Sequence, residues 1–398
     1  MTTSCTSSCP CASNKKQASL LYLRTLQVRD FRNYECVELE MPSGISVFVG
    51  DNGQGKTNLL EAIYVLATLK SFRGAKNSQL LRRGQSHARI VADVESKGLA
   101  RQLEVSLGPQ GKRARVDGKD PRALSGYFSG IKAIAFVPED LRLVDGPPEG
   151  RRNFLDRAAF TLDPAYLDVV RDFRNALNQK NALLRAGRQR RSPPDKALLG
   201  VWNDRVAVAG ARVIARRMQF LGEFVPVFRE VHEGITGAAK GRAEIRYRGC
   251  VTTDALSRGL KGIEERLSAR LEEAMEDEQR RGFATVGPQR DDWQLVVGGE
   301  ALRSFGSQGQ IRSAALALRV SEMVLARRDL GSCPLFLLDD VSSELDPHRN
   351  RQLMALLMDL SAQVVITTTE LSNLKIDALH YQPWKVANGA ICRYNPGS

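Results

Sequence analysis

Hydrophobic and polar positions follow strand spacing near both ends of the chain and helical spacing in its middle. Residues 21–28 alternate apolar and polar side chains, as a half-buried strand does. Ile45 to Val49 is short and nearly all apolar, which is typical of a strand covered on both faces. Further strands are predicted at 36–41, 87–94, 101–107, 131–136, 293–297, 333–338 and 363–367. Helical spacing of apolar residues predicts helices at 58–70, 311–328 and 349–360. Strands alternating with helices predict an α/β fold.

The middle of the chain interrupts this alternation with two long amphipathic helices, predicted over 159–184 and 198–227. Pro193 and Pro194 force a break between them, so we predict an antiparallel helical hairpin. A further, densely charged helix is predicted over 254–280. The predicted organisation is a disordered tail at 1–18, an α/β head built from 19–137 and 282–398, and a helical arm at 138–281.

Composition excludes some classes of protein. The 398 residues are 42% hydrophobic and 26% charged, as in ordinary globular domains. The sequence has no stretch near the ~20 apolar residues of a membrane helix, so a transmembrane protein is excluded at this stage. The first 17 residues lack the apolar core of a secretory signal, and the seven cysteines are scattered. We therefore expect a reducing cytoplasm. Cys5, Cys9 and Cys11 lack a matching second pair, which favours a disordered tail over a metal site.

The chain is basic, with 58 Lys and Arg against 45 Asp and Glu and a net charge of +13. Such a balance favours an anionic partner such as nucleic acid. The segment 171–217 holds twelve Lys and Arg and three Asp. Four arginines sit at the predicted hairpin tip and suit phosphate contacts without sequence readout: Arg185, Arg188, Arg190 and Arg191. A solvated loop is the alternative. Arg212, Arg216 and Arg217 share one helix, which fits either an extension of this surface or a salt-bridged face.

A glycine-rich segment follows the apolar run at 45–49. It matches the P-loop pattern G-x-x-x-x-G-K-[ST] with Gly50, Asp51, Asn52, Gly53, Gln54, Gly55, Lys56 and Thr57. Glycines let backbone N–H groups surround phosphates, Lys56 carries charge to the β and γ phosphates of ATP, and the Thr57 hydroxyl ligates Mg²⁺. A glycine turn without a ligand is the alternative.

Two further segments carry candidate chemistry. The apolar run 335–338 ends in Asp339, which would help to hold Mg²⁺, and Asp340, which would polarise an attacking water as a general base. Many surface strands end in acidic residues, so this signal is weak without the P-loop. Ser307 is a natural N-cap for the helix that begins near Ile311. The start of this helix is either a second anion-binding site or a simple cap.

These motifs occur in an order that resembles the ABC ATPase superfamily. Their details resemble the RecF family within it, over residues 20–374. The resemblance is carried by residues 31–34 (FRNY), 53–63 (GQGKTNLLEAI), 138–141 (PEDL), 151–156 (RRNFLD), 287–292 (GPQRDD), 307–310 (SQGQ), 338–346 (LDDVSSELD) and 366–369 (ITTT). As a set, these motifs are specific.

The resemblance implies a head that dimerises around ATP. Residues 50–57 of one subunit would face Ser307 and Gly309 of the other across the γ-phosphate, and Gln310 would belong to the same cofactor-binding set. Asp339 would serve Mg²⁺ and Asp340 would be the hydrolytic carboxylate. The cofactor-binding set would also include Arg32 and Asn33 near the nucleotide, and Asp346 would lie at the dimer seam.

Two positions depart from common patterns. Residues 367–369 are threonines where many ABC proteins have a switch histidine, so sensing of the γ-phosphate would use a hydroxyl or another group. RecF chains usually have a histidine where this sequence has Gln289, so a role that depends on that histidine does not carry over to this chain.

The resemblance further implies binding of gapped or single-stranded DNA in recombinational repair and replication after DNA damage. The protein would work with RecR and RecO to help load a recombinase, and slow ATP hydrolysis would act as a switch. A transporter ATPase subunit is disfavoured by the long interval between Lys56 and Asp339 and by the missing histidine. An SMC-like structural ATPase is also disfavoured, because the predicted arm is too short to form a long coiled coil.

Overall fold

The computed structural model describes residues 21–96, 98–122, 124–128, 130–190, 192, 194–237, 242–340, 347–374 and 380–394. The predicted tail with its three cysteines lies outside these residues, as do Arg191 and Asp346.

Fourteen strands and thirteen α-helices occur within the described ranges. The strands are β1 Leu21–Phe31, β2 Tyr34–Glu40, β3 Ile45–Val49, β4 Ala88–Ser96, β5 Leu99–Gly108, β6 Gly111–Val116, β7 Ala133–Phe136, β8 Ala243–Arg248, β9 Asp292–Val297, β10 Glu300–Ala301, β11 Leu335–Leu338, β12 Val364–Thr368, β13 Tyr381–Ala387 and β14 Ala390–Arg393. The helices are α1 Lys56–Thr68, α2 Asn77–Leu80, α3 Leu124–Phe128, α4 Arg142–Asp145, α5 Pro148–Leu162, α6 Tyr166–Arg190, α7 Lys196–Thr236, α8 Thr253–Ser257, α9 Gly259–Glu273, α10 Met275–Arg281, α11 Leu302–Phe305, α12 Gln308–Leu330 and α13 Pro347–Asp359. Short 3₁₀ turns occur at Pro138–Leu141 and Leu371–Asn373.

A six-stranded sheet of order β14-β13-β3-β12-β11-β7 forms the centre of the head. All of its strands are parallel except β14, which is antiparallel to β13. β11 and β12 are apolar at nearly every position and buried throughout, as strands covered on both faces must be. Because parallel strands end at one edge, the loops after β3, β11 and β12 meet there.

One face of this sheet packs against α1. The same core includes a second, antiparallel sheet of order β2-β1-β4-β5-β6, so α1 lies between the two sheets. Leu59 and Ile63 of α1 contribute with Phe48 of β3 and Val28 of β1, and all four side chains are buried. The helix is therefore apolar on most sides, which fixes the position of its first turn.

The opposite face of the sheet packs against α12 and the second half of α7. Val47 and Ile366 from the sheet share a core with Leu316 of α12 and with stacked aromatic rings of α7, including Phe224 and Phe228. The six-stranded sheet thus separates α1 from α12.

Helices α6 and α7 form the predicted hairpin, so the α/β fold and the inserted helical arm are confirmed. Asp195 begins α7 as its N-cap, with its carboxylate accepting hydrogen bonds from the backbone N–H of Ala197 and Leu198. The single helix predicted over 159–184 is wrong, because Pro164 separates α5 from α6.

The single helix predicted over 254–280 is also wrong, since this segment forms α8, α9 and α10. Gly259, with φ of 68°, adopts a left-handed conformation where α8 gives way to α9. Helix α9 packs on α7 and α10 packs on α6, so the arm is a cluster of helices. Strands β10, β9 and β8 form a small sheet beside it. Among the described residues, no helix combines the length and apolar character needed to cross a membrane.

Candidate nucleotide-binding site

The P-loop connects β3 to α1 at the edge of the sheet where the parallel strands end. Gly53 and Gly55 have φ of 81° and 118°, which side chains rarely tolerate. A Cβ on Gly50 would lie 2.2 Å from the carbonyl oxygen of Val386 in β13, so only glycine fits this approach. Lys56 is buried, and its Nζ donates hydrogen bonds to the carbonyls of Gly50 and Asp51. The loop therefore curls around the lysine that should carry charge to the phosphates.

Neighbouring segments hold this loop from two sides. The Asn33 side-chain amide donates to the Gln54 carbonyl at 3.0 Å, and the Tyr34 hydroxyl donates to the Gly55 carbonyl at 2.8 Å. On the other side, the backbone N–H of Asn388 donates to Gln54 Oε1 at 2.6 Å. Asn52 and Asp51 complete the exposed rim. These contacts join the loop to the turn between β1 and β2 and to the turn between β13 and β14, which restrains its backbone.

Arg32 lies beside Asn33 in the turn between β1 and β2, with φ of 55°. Its guanidinium donates two hydrogen bonds to Glu61 of α1, from Nε at 2.8 Å and from Nη2 at 2.9 Å. Glu61 is fully buried, so this pair joins the turn to the helix. In this structure Arg32 supports the loop indirectly, whereas Asn33 contacts it.

Asp339 connects the start of α1 with the end of β11. Its Oδ1 accepts hydrogen bonds from the hydroxyls of Thr57, at 2.9 Å, and Thr367, at 2.8 Å. Burial raises the pKa of Asp339, while the two hydroxyls act in the opposite direction. A hydroxyl and a desolvated carboxylate within hydrogen-bond distance suit a hard cation such as Mg²⁺. The residues present therefore fit the predicted cation site, at which Thr57 and Asp339 would be the protein ligands.

Asp340 follows with a φ of 50°, an uncommon conformation for a residue with a side chain. Its backbone N–H donates to the Thr367 hydroxyl at 3.0 Å, so one threonine contacts both acidic residues. Burial lowers the pKa of Lys56, whereas the charges of Asp340, Asp339 and Asp51 raise it. These groups therefore share one electrostatic environment. Motif reasoning did not identify Thr367 as the bridge, because that contact joins two separate strands.

Arg73 is a basic group that the sequence motifs missed. Its Nη1 donates to Asn58 Oδ1 at 3.2 Å, and its charge lowers the pKa of Asp339. The Asn58 amide in turn donates to Asn33 at 2.8 Å. The only sequence signal was a basic stretch, residues 70–76, directly after α1.

Ser307 and its neighbours form a second helix start. The Ser307 hydroxyl accepts from the backbone N–H of Gln310, and Gln310 Oε1 accepts from the backbone N–H of Ser307 at 2.8 Å, which makes a reciprocal capping box. The Gly309 carbonyl accepts from Arg349 of α13 at 3.0 Å. Phe305, just before this turn, is 72% exposed. Within one chain these residues contact α12 and α13, and the structure does not bring them to the P-loop.

The predicted arm-tip arginines lie apart from the P-loop, near the end of α6. Arg188 Nη1 donates to the carbonyl of Arg281 at 2.7 Å, and Arg185 Nε donates to the carbonyl of Asn181 at 3.3 Å. Arg190 is exposed in the last turn of α6.

Further along the arm, Arg216 and Arg217 belong to a salt-bridged face. Arg217 is buried against Asp156, and Arg216 lies 3.2 Å from Asp163. Gln289 donates through Nε2 to the carbonyl of Val286, so it fixes a turn of its own segment.

Comparisons with known proteins agree over nearly the whole chain. Residues 22–118 match the family described as RecF/RecN/SMC N terminal domain. The DNA replication and repair protein RecF of Anaeromyxobacter sp. (strain Fw109-5) is 43% identical over 348 residues, covering 87% of this chain and 92% of the relative. The protein of the same name from Geotalea uraniireducens (strain Rf4) is 38% identical over 374 residues, covering 93% and 99%.

Solved structures of RecF are also similar to this chain over most of its length. One described as the recombination mediator protein RecF-ATPrS in the RecFOR pathway has a TM-score of 0.84 and 28% identity, covering 94% of this chain and 99% of that one. An Smc head domain from Pyrococcus furiosus has a TM-score of 0.53 at 14% identity, covering 94% and 95%. At that identity the likeness shows the fold alone.

Proposed function

The chain belongs to the RecF family of DNA replication and repair proteins, and we propose that it is an ATP-dependent DNA-binding protein of recombinational repair. Its fold is that of a P-loop ABC-type ATPase head with an inserted helical arm. The observation that carries the proposal is the hydrogen bond between Thr57 and Asp339, because it joins the P-loop to the acidic strand end beneath Lys56.

In this proposal the backbone N–H groups of residues 50–57 and the Lys56 ammonium bind the phosphates of ATP. Thr57 and Asp339 would hold Mg²⁺, which would supply positive charge against the phosphate oxygens. Asp340 orients the attacking water as a general base, and hydrolysis is slow, so the nucleotide acts as a switch.

The second helix start completes the site from another copy of the chain. The P-loop lies at the start of α1 and Ser307 lies at the start of α12, and these two helices pack on opposite faces of one sheet. Two copies facing each other would place Ser307 and Gly309 of one against the γ-phosphate held by the other. Gln310 contributes by capping the same turn. ATP would thereby hold the dimer together.

The first experiment tests this dimerisation with Lys56→Met. We expect sedimentation velocity to show the wild type as a dimer with ATP and Mg²⁺ and as a monomer without them, because Lys56 neutralises phosphate charge at the seam. Lys56→Met should remain a monomer in both conditions. Lys261→Met, on the arm helix α9, is the matched control and should behave as the wild type. Normal ATP-induced dimerisation of Lys56→Met would contradict the model.

We further propose that the arm tip contacts the DNA backbone. Arg185, Arg188 and Arg190 are exposed on the last turns of α6, within the most basic segment of the chain, and Arg191 follows. Gapped and single-stranded DNA are the proposed substrates, RecR and RecO the proposed partners in recombinase loading, and the cytoplasm the proposed location. The family relationship supports these finer assignments.

The second experiment tests the arm with Arg185→Ala, Arg188→Ala and Arg190→Ala combined. Affinity for DNA should fall, and the slope of log affinity against log salt should flatten by up to about three, since each phosphate contact releases roughly one counterion. The matched control replaces Arg24, Arg29 and Arg101, exposed arginines of the antiparallel sheet, so that the net charge changes equally. An equal loss of DNA affinity in the control would indicate that DNA binds at the head and not at the arm tip.

A further inference from the structure

A basic cavity lies between the end of α6 and the turn that follows α10. Its volume is about 540 Å³. Asn181, Arg185, Arg188 and Gln189 of α6 line one wall, and Arg281, Gly282 and Phe283 line the other. Volumes of this size accommodate a small organic ligand. The nucleotide site described above does not include these residues.

The cavity is positively charged, because its lining includes three arginines and no acidic residue. Arg185 and Arg188 donate to backbone carbonyls, which leaves both positive charges in place. Arg281 is paired with Asp277 at 2.7 Å. Two guanidinium groups are therefore available to an anion, and guanidinium matches phosphate oxygens in pairs.

The aromatic ring of Phe283 also lines the cavity, on the same side as Arg281. Phe283 is 39% exposed, which is unusual for a phenylalanine in a chain that buries most of its large apolar side chains. The guanidinium of Arg290 lies 5.3 Å from the centre of the ring and orients it. An accessible ring beside arginines is the arrangement that stacks a base while cations hold the adjoining phosphate.

Buried contacts fix the two walls relative to each other. Lys180 of α6 and Glu278 of α10 form a fully buried ion pair at 2.6 Å. Asn181 Oδ1 accepts the backbone N–H of Ala284 at 2.7 Å, directly after the aromatic residue. Gly282 has φ of 77°, and a Cβ there would lie 2.8 Å from Arg188 Cδ. The cavity is therefore preorganised, which reduces the entropy lost when a ligand binds.

We propose that this cavity binds one nucleotide unit, with its base against Phe283 and its phosphate against Arg185 and Arg188. The inference deepens the proposed DNA binding, because an unpaired nucleotide of a DNA strand is one source of this chemistry. A free nucleoside monophosphate is the other source. The site is separate from the P-loop and needs no second copy of the chain.

The test uses 2-aminopurine, whose fluorescence is quenched when its ring stacks. One probe is a short oligothymidylate with a single central 2-aminopurine, and the other is free 2-aminopurine riboside monophosphate. Both are titrated with the full chain while excess ATPγS occupies the P-loop. The variants are Phe283→Leu, which keeps an apolar side chain without a ring, and Leu260→Ala, a control at an exposed apolar residue of α9 in the arm. Thermal unfolding verifies that each variant is folded.

We expect the wild type and the control to bind the strand probe with quenching, and Phe283→Leu to bind it about tenfold more weakly with less quenching. Quenching of the monophosphate but not of the strand, again lost in Phe283→Leu, would identify a free nucleotide as the ligand. Equal quenching and affinity in the wild type and Phe283→Leu, or no quenching of either probe, would overturn the inference. Binding of unmodified duplex DNA is measured in parallel, and its complete absence in the wild type would reject the proposed function instead.

Discussion

At the scale of single residues, the buried charges show what local motifs miss. Lys56, Thr57 and Asp339 follow recognisable patterns, so the sequence predicted them. The Lys180–Glu278 pair joins positions far apart in the chain, and no spacing rule indicates it. The same is true of Thr367, which contacts Asp339 from a neighbouring strand. Local pattern predicts the chemical groups, but their partners depend on tertiary contacts.

The Lys180–Glu278 pair leads to a stability prediction. Burial lowers the pKa of Lys180, and the charge of Glu278 opposes this shift. Lys180→Met leaves the Glu278 carboxylate buried without its cation, so the free energy of unfolding should fall by about 3–5 kcal/mol. Glu278 Oε1 also accepts the backbone N–H of Thr285 at 2.7 Å, which a glutamine oxygen can still do.

The double variant Lys180→Met with Glu278→Gln should therefore recover most of the loss. Urea unfolding followed by circular dichroism measures both variants, with the exposed Lys196→Met as the control. If the double variant were as unstable as Lys180→Met, the unpaired charge would not be the cause.

At the scale of elements, α12 combines a structural cap with a proposed binding role. The two roles can be separated at Ser307. Ser307→Ala removes the cap, so the free energy of unfolding should fall by about 1 kcal/mol. Ser307→Asp keeps a capping oxygen and adds a negative charge where the γ-phosphate of the other copy is proposed to lie.

We expect Ser307→Asp to unfold like the wild type but to lose ATP-induced dimerisation, as measured by sedimentation. This result would assign the serine a role beyond capping. Normal dimerisation of the aspartate variant would mean that the turn does not face a phosphate.

The predicted bounds of α1, α12 and α13 lie within three residues of the observed ones, whereas α7 was predicted to end at residue 227 and continues to Thr236. The hairpin of α6 and α7 was found because its core positions recur at helical spacing. The segment 254–280 was predicted as one helix because its dense charges suit an exposed helix, while the left-handed turn at Gly259 gives only a single-residue signal. Strands β6, β8, β10, β13 and β14 were not predicted, since their pattern of burial depends on which sheet they join.

At the scale of the whole molecule, the proposed composite site predicts complementation between two defective chains. The Lys56→Met chain keeps an intact start of α12, and the Ser307→Asp chain keeps an intact P-loop. Each alone should neither dimerise nor hydrolyse ATP. A mixture should form dimers with one complete site, and ATPase assays should show up to about half of the wild-type rate per chain. An inactive mixture would argue that each chain hydrolyses ATP without a partner.

The position of β3 in its sheet has a consequence for synthesis on the ribosome. β3 precedes the P-loop and emerges early, yet its two neighbours, β12 and β13, come from residues 364–387. Until those residues are translated, the nascent chain carries an apolar strand with both edges unpaired, which is a hazard for aggregation. The contact with Asn388 that holds Gln54 is also still missing at that stage. A growing polypeptide therefore cannot complete its nucleotide-binding loop before residue 388 has been translated.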